Sequence, residues 1–297
     1  MKNKLLDLVK LLFGWPITLF ALFFITRLVY EKTDGLILRF SDINVFSLSL
    51  GFLCFFCYFF LRALLWQKIL LSKNHVFSYK EAAYFWAVSE IRRFIPGNIF
   101  SFATRIFLFS GKKIEKKTVL FLMLQETQST VLGSAILSVF SLSFVFYNLF
   151  PSFIVNPLLF ISYGALILLC ALYIFKNPKA HFLFLSISAG AFLFFSLGTY
   201  FTILSIVTLS PYYLVTFLSF FSFSYLIGYL SIITPMGLGV REGVMTFGLS
   251  RFITLPLAGL AAIYARIILI LAELVFFIFI RTWYYTKYQF VIKSEQF

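Results

Sequence analysis

The sequence predicts an all-α polytopic membrane protein, and three observations support this prediction. Of its 297 residues, 61% are hydrophobic and only 12% are charged. A soluble domain has about 45–50% apolar and about 25% charged residues, so this composition is typical of a chain embedded in lipid. Long apolar runs recur along the sequence, and Lys residues gather in the short segments between them.

Six apolar runs have the length of about 20 residues that a transmembrane helix needs. By hydropathy they cover roughly residues 11–30, 45–65, 118–146, 153–175, 182–208 and 256–280. Two further apolar segments, 79–109 and 212–252, are each interrupted by proline and glycine. No polar stretch is long enough for a soluble domain, so we expect one integral membrane domain over residues 1–297.

The basic loops predict the orientation of these spans, because cytoplasmic loops are rich in Lys and Arg. By this rule both termini lie in the cytoplasm. Two basic loops flank residues 79–109, so this segment must turn back within the membrane, and we interpret it as a re-entrant hairpin broken at Pro96 and Gly97. The segment 212–252 begins and ends on the outer face, with its turn at 234–239. A full span followed by a short broken helix also fits this second segment.

The two halves of the chain, about 45–146 and 182–280, have the same layout. In each half a span precedes a broken hairpin, and a span that contains glutamate follows it. The predicted orientations of the halves are opposite. Broken helices of inverted repeats meet near the bilayer midplane in secondary transporters, so the layout predicts an inverted-topology repeat.

The first hairpin carries arginines on both sides of its break. Arg92 and Arg93 precede Pro96 and Gly97, and Arg105 follows them. A half-helix that begins beyond the break would aim free N–H groups and a positive dipole end inward. Arginine adds forked donors that match phosphate oxygens, so the pattern favours anion binding. Anchoring of the first two arginines to cytoplasmic head groups is the alternative explanation.

Glu126 lies about two turns into an apolar span, where a lone carboxylate is costly unless it is protonated or paired. Arg92, Arg93 and Arg105 are its candidate partners. A substrate-binding group and a structural ion pair within the helix bundle would both account for this residue.

The second hairpin contains the most distinctive stretch of the sequence. Proline and glycines at Pro235, Gly237 and Gly239 are followed directly by Arg241 and Glu242. Proline removes a backbone donor and glycine tolerates unusual φ values, so a helix breaks readily here. Broken backbone at membrane depth is tolerated only beside protein or a water-filled cavity. An ionisable pair at such a break is therefore a candidate functional site.

The last span carries two further charged residues, Arg266 and Glu273. They are seven residues apart and therefore lie on one face of the helix, two turns from each other. They are candidates for direct substrate contact, or for neutralising Glu242 and Arg241 and so holding the hairpin in place.

The sequence contains no motif of enzymatic or cofactor chemistry. Motifs of phosphate-binding loops, serine hydrolases and zinc proteases are missing from it. Cys54 and Cys57 lie in an apolar run without a second pair of ligands, so packing explains them. The net charge of +14 follows from basic cytoplasmic loops and does not require nucleic acid. We expect no enzyme activity, no cofactor or metal, and no nucleic-acid partner.

Two stretches resemble the motifs of the lysylphosphatidylglycerol synthase transmembrane family. One is R-F-I-P-G-N, which begins at Arg93, together with Arg105 and Glu126; the other is P-M-G-L-G-V-R-E, which begins at Pro235, together with Arg266. The resemblance extends from about the second span to the last. This family includes the flippase-like half of the bacterial multiple peptide resistance factor and many stand-alone bacterial and archaeal membrane proteins.

The resemblance implies a protein that translocates or scrambles lipids in the cytoplasmic membrane of a prokaryote. Anionic or aminoacylated phospholipids and polyprenyl-phosphate carriers are the implied substrates. The sequence given ends at Phe297, shortly after the last span, so we expect no aminoacyl-transferase activity. Asn98 stands where the family often has a second glycine, and this departure leaves the shape of the turn open.

These observations together predict a lipid flippase that moves an anionic or phosphate-bearing lipid through a midplane cavity lined by Arg and Glu. The expected substrate-binding residues are Arg92, Arg93, Pro96, Gly97, Arg105, Glu126, Pro235, Gly237, Gly239, Arg241, Glu242, Arg266 and Glu273. A small-anion transporter, and a non-transport scaffold that presents lipid to a glycosyltransferase or synthase, are the alternatives. The sequence leaves open the lipid, the direction, the energy source, and whether the protein forms a homo-oligomer or binds a lipid-modifying enzyme.

Overall fold

The computed structural model describes residues 43–94, 99–149, 152–231 and 237–294. It is 86% helical, and the described ranges contain no strand, so the prediction of an all-α protein is confirmed. The predicted first span, 11–30, lies outside the described residues.

Nine α-helices follow one another in the described ranges. They are α1 (Val45–Leu71), α2 (Tyr79–Ile91), α3 (Ile99–Ser110), α4 (Lys116–Leu149), α5 (Ser152–Phe175), α6 (Pro178–Leu204), α7 (Leu214–Leu230), α8 (Val240–Leu249) and α9 (Leu255–Ser294). A short 3-10 helix, Arg92–Phe94, follows α2 directly, and a second one, Pro211–Tyr213, precedes α7.

Four helical segments are long and apolar enough to cross a membrane. They are Val45–Leu71, Pro178–Leu204, Pro211–Leu230 and Leu255–Thr286. The protein is therefore a membrane-embedded helical protein. The third of these segments belongs to the second interrupted region, and its length fits the alternative of a full span followed by a short broken helix. Helices α4 and α5 cover the predicted spans 118–146 and 153–175.

Polar residues cap the helices at the points where the chain enters them. Asn44 accepts a hydrogen bond from Ser47 N at 3.0 Å at the start of α1, and Ser78 accepts one at the start of α2. Asn177 caps α6, and Pro178 follows it at the first helical position, where the missing N–H is not needed.

Helix α6 lies at the centre of the bundle and contacts α1, α4, α5, α7 and α9. Small residues allow its close approach to α1, since an added Cβ at Gly198 would lie 2.6 Å from Phe55 Cδ1. An added Cβ at Gly133 of α4 would similarly lie 2.5 Å from Ser188 Oγ of α6. Such small-residue contacts are typical of helix packing in membranes, where van der Waals contact replaces the hydrophobic effect.

The two interrupted regions each consist of two helical arms that contact each other, α2 with α3 and α7 with α8. Residues 95–98 and 232–236 between the arms, which include Pro96, Gly97 and Pro235, lie outside the described residues. Helix α9 contacts both α2 and α8. The last long helix therefore connects the two interrupted regions, and this arrangement positions the charged residues described next.

Candidate functional site

A cavity of about 310 Å³ is lined by residues of both interrupted regions, together with α1, α4 and α9. The first region contributes Glu90, Arg93, Ser101, Phe102 and Arg105. The second contributes Tyr225, Gly228, Tyr229, Ser231, Gly237 and Arg241. The sequence did not reveal whether the two broken helices meet, and in the structure both form the wall of one cavity.

Glu126 of α4 is a buried carboxylate on this wall. Its carboxylate accepts hydrogen bonds from Arg62 Nη2 at 3.1 Å, from Trp86 Nε1 at 2.9 Å and from Arg105 Nη1. Arg105 Nε also donates to Ser89 Oγ at 2.9 Å. A buried carboxylate is tolerated when positive partners and hydrogen bonds satisfy both of its oxygens, so this group is a structural ion cluster. Of its three predicted partners, Arg105 is the one that it contacts.

The ion pairs continue through Glu90 to the last helix. Glu90 pairs with Arg105 at 2.6 Å and with Arg93 at 3.0 Å, and Arg93 Nη2 donates to Glu273 Oε2 at 2.7 Å. The other oxygen of Glu273 is buried and has no hydrogen-bond partner among the described residues. In this chain of contacts, three arginines alternate with three glutamates, so its charges balance.

Arg241 of α8 differs from the arginines of this chain of ion pairs. It is 6% exposed and lines the cavity. Its guanidinium lies 4.6 Å from the ring centroid of Phe195 and 5.1 Å from that of Tyr225. Across the part of the chain that the structure describes, this guanidinium has neither a hydrogen bond nor an ion pair. Aromatic rings stabilise a cation but leave its N–H donors unmatched, so Arg241 can accept an anionic ligand.

Arg266 lies near Arg241, and the two positive charges repel each other. The closest carboxylate to Arg266 is that of Glu242, whose Oε1 is 3.7 Å from Nε, which is too long for a hydrogen bond. Glu242 Oε2 instead accepts from Gly239 N at 2.7 Å and caps the start of α8. The second half of the cavity therefore has two neighbouring cations and one carboxylate, which forms an ion pair with Arg266 through Oε1 and caps α8 through Oε2.

Glycines allow α8 to begin close to α7. Gly237 and Gly239 have φ values of 67° and 83°, in the region that side chains rarely adopt. An added Cβ at Gly237 would collide with the carbonyl oxygen of Gly228, and one at Gly228 would lie 2.9 Å from Arg241 Cβ. This close backbone contact brings Arg241 onto the cavity wall.

The charged groups around the cavity do not balance. Five arginines face four glutamates among the described residues: Arg62, Arg93, Arg105, Arg241 and Arg266 with Glu90, Glu126, Glu242 and Glu273. One positive charge is in excess, and the pairing assigns it to Arg241. The described residues contain no group of three or more His, Cys, Asp or Glu side chains placed to hold a metal ion.

The structure brings most of the predicted site residues together. Arg93, Arg105, Glu126, Gly237, Arg241, Arg266 and Glu273 line the cavity. Glu242 and Gly239 lie behind this wall, at the start of α8. Arg92 is exposed and donates to Thr104 Oγ1 at 2.9 Å, away from the cavity wall. Pro96, Gly97 and Pro235 are outside the described residues, so their predicted role stays a prediction.

The sequence prediction missed several residues that matter in the structure. Arg62 lies close to the end of a predicted span, where an arginine is commonly an interfacial anchor. Glu90 stands three residues before Arg93 and pairs with it. Phe195 and Tyr225 gave no signal, because 43 Phe and 16 Tyr residues are spread along the whole chain.

The fold and the site together define a helical membrane protein with an uncompensated arginine in an internal cavity. The sequence matches no protein-family model and no curated protein at significant similarity. The resemblance to the lysylphosphatidylglycerol synthase transmembrane family therefore stays a prediction that depends on the two motifs quoted above.

Proposed function

We propose that the protein is a flippase-like transporter that moves an anionic, phosphate-bearing lipid across the cytoplasmic membrane of a prokaryote. The observation that supports this proposal is Arg241, a buried cation in a cavity with no carboxylate partner in the described chain. A buried charge without a partner is costly, so an anion that reaches it is bound strongly. The planar guanidinium suits phosphate oxygens, which it can contact with two parallel hydrogen bonds.

The cavity suits a lipid head group better than a soluble anion. Phe102 and Tyr229 line it while remaining 46% and 41% exposed, so apolar and aromatic side chains stand where the cavity meets the outside. Acyl chains can stay in the bilayer beside such side chains while the head group enters. A volume of about 310 Å³ is at the lower end for small-molecule pockets, which fits a small head group.

The transport proposal includes the inverted repeat, six full spans and two cytoplasmic termini. Its support is the pairing of helical arms in each half and the contribution of both interrupted regions to one cavity. In transporters with inverted repeats, broken helices form the substrate site at the repeat interface. The excess positive charge at this cavity supports an anionic substrate.

The scaffold alternative predicts that every buried Arg and Glu pairs with another and that no cavity remains. Arg241 has no such pair in the described residues, and a cavity is present, so transport is favoured over the scaffold. A homo-oligomer and a lipid-modifying enzyme partner stay predictions from the sequence.

Lipid movement is testable in proteoliposomes that contain the purified protein and a trace of head-group-labelled fluorescent phosphatidylglycerol. A membrane-impermeant quencher measures the label that reaches the outer leaflet. We expect the protein to increase the fraction of labelled lipid that the quencher reaches. In Arg241→Gln the rate of lipid movement should fall about 10- to 100-fold, because hydrogen bonds to a charged group are removed. Arg251→Gln is the matched control, since Arg251 is exposed at the other end of α8. Equal rates for a folded Arg241→Gln variant and the wild type would refute the proposal.

A further inference from the structure

Arg93 is the most accessible arginine in the chain of ion pairs, where it contacts both Glu90 and Glu273. The side chain of Arg93 is 26% exposed, against 6% for Arg62 and 3% for Arg105. Arg93 also lines the cavity. A ligand in the cavity can therefore reach Arg93 more easily than the two enclosed arginines.

The contact that Glu273 makes is also the least complete one. It accepts a single hydrogen bond from Arg93, through Oε2, while Oε1 is buried without a partner. Glu126, by contrast, accepts from three side chains. An arginine can hold a carboxylate or a phosphate with two parallel hydrogen bonds, and this pair uses one. A phosphate group therefore offers Arg93 a better geometry than the carboxylate that occupies it.

Arg266 and Glu273 place the Arg93–Glu273 ion pair on the same helix face as the cation that neighbours Arg241. They are seven residues apart on α9, which corresponds to about 10 Å along the helix axis. Arg266 is close enough to Arg241 to repel it and also attracts Glu273. Two groups of arginines therefore line the cavity near α9: Arg241 with Arg266, and Arg93, which is paired with Glu90 and Glu273.

We propose that Arg93 is a second binding position for the lipid phosphate, and that Glu273 occupies it as a displaceable anion when no lipid is there. This inference rests on the proposed function and adds the path that the phosphate takes through the cavity. The phosphate first binds Arg241 and Arg266, then moves along α9 to Arg93 and displaces the carboxylate of Glu273. Arg266, which also attracts the carboxylate of Glu273, remains as a cation for the displaced group. Each half of the cavity thereby holds the phosphate once during its passage.

The Glu273→Gln variant tests this path, because it removes the competing charge and leaves Arg93 in place. Purified full-length protein in detergent is titrated calorimetrically with dihexanoyl phosphatidylglycerol, a short-chain soluble probe. We expect one bound probe per chain for the wild type. For Glu273→Gln we expect about tenfold tighter binding or a second bound probe, because the carboxylate that competes with the probe for Arg93 Nη2 is removed. Adding Arg93→Gln to this variant should restore the wild-type isotherm.

The controls separate this inference from the proposed function. Glu81→Gln should bind like the wild type, because Glu81 pairs with Lys112 outside the cavity. Glu273→Ser also lacks the competing carboxylate and should show the same gain in affinity as Glu273→Gln, so it replaces that variant if Glu273→Gln does not fold. If both folded variants of Glu273 bind the probe with the affinity and stoichiometry of the wild type, Arg93 is not a second binding position. Loss of probe binding in Arg241→Gln would in that case still support the proposed function. If Glu273→Gln gains affinity for inorganic phosphate but not for the lipid probe, the proposed path for a lipid is wrong.

Discussion

Arg93 donates a hydrogen bond to Glu273 at 2.7 Å and joins residues that are 180 positions apart in the chain. The arginine follows α2 in the first interrupted region, and the glutamate lies on α9, which also contacts α8. One ion pair therefore connects the first broken helix to the helix that supports the second. Because both residues line the cavity, a change at this pair can be transmitted to both halves of the site.

Removal of the carboxylate of Glu126 should destabilise the fold. Glu126→Gln leaves Arg62 and Arg105 without their shared counter-charge, and breaking a buried pair in this way costs about 3–5 kcal/mol. The midpoint of thermal unfolding in detergent should fall clearly. Glu81→Gln is the matched control, because its partner Lys112 is exposed and such pairs contribute about 1 kcal/mol or less. Equal midpoints for the two variants would show that the cluster is not structural.

An alanine at Gly237 should disturb the start of α8. The residue has a φ of 67°, and its added Cβ would collide with the carbonyl oxygen of Gly228. We expect a loss of stability of about 1–3 kcal/mol and weaker binding of dihexanoyl phosphatidylglycerol, because Arg241 moves with α8. Gly243→Ala on the same helix has open space around it and should be neutral or slightly stabilising. Similar binding and melting of the two alanine variants would contradict this account of the break.

The ring of Phe195 should help to hold Arg241 in the cavity. Phe195→Leu keeps an apolar side chain but removes the ring centroid that lies 4.6 Å from the guanidinium. Cation–π contacts of this kind contribute about 0.5–2 kcal/mol, so we expect binding of the soluble phosphatidylglycerol probe to weaken about 2- to 30-fold. Phe107→Leu, at an exposed position, is the control. Unchanged affinity in Phe195→Leu would mean that other contacts position the guanidinium.

Binding at the cavity should depend on salt in a way that separates Arg241 from surface charges. The groups around it are buried, so added salt screens their attraction to a phosphate less than it screens exposed lysines. We expect the affinity for dihexanoyl phosphatidylglycerol to change little when NaCl rises from about 0.1 M to about 0.3 M. A steep loss of affinity over this range would assign the binding to the basic surface.

The helices of the bilayer-embedded part were predictable because the membrane requires long apolar stretches, and charged residues stand out against them. Glu126, Arg241 and Glu273 were recognised for this reason, as exceptions inside apolar sequence. Arg62 was missed because it stands near the end of a predicted span, where a basic residue is normally interpreted as an interfacial anchor. Its burial follows from the packing of α1 against its neighbours, and no local pattern reports that packing.

The pairing of the charges could not be predicted, because it depends on contacts between distant parts of the chain. Glu273 was expected to neutralise Arg241, among other possibilities, whereas the structure pairs it with Arg93. That difference leaves Arg241 uncompensated. Which arginine is left without a carboxylate is therefore a property of the tertiary structure, and the proposed function depends on it.

The most direct measurement is native mass spectrometry of the protein purified in mild detergent, with identification of the lipids that remain bound. The central claim is that Arg241 holds a lipid phosphate in the cavity. We predict one phosphate-bearing lipid per chain in the wild type and in Arg251→Gln, and loss of that lipid in Arg241→Gln. Retention of the same lipid in a folded Arg241→Gln variant would contradict the claim.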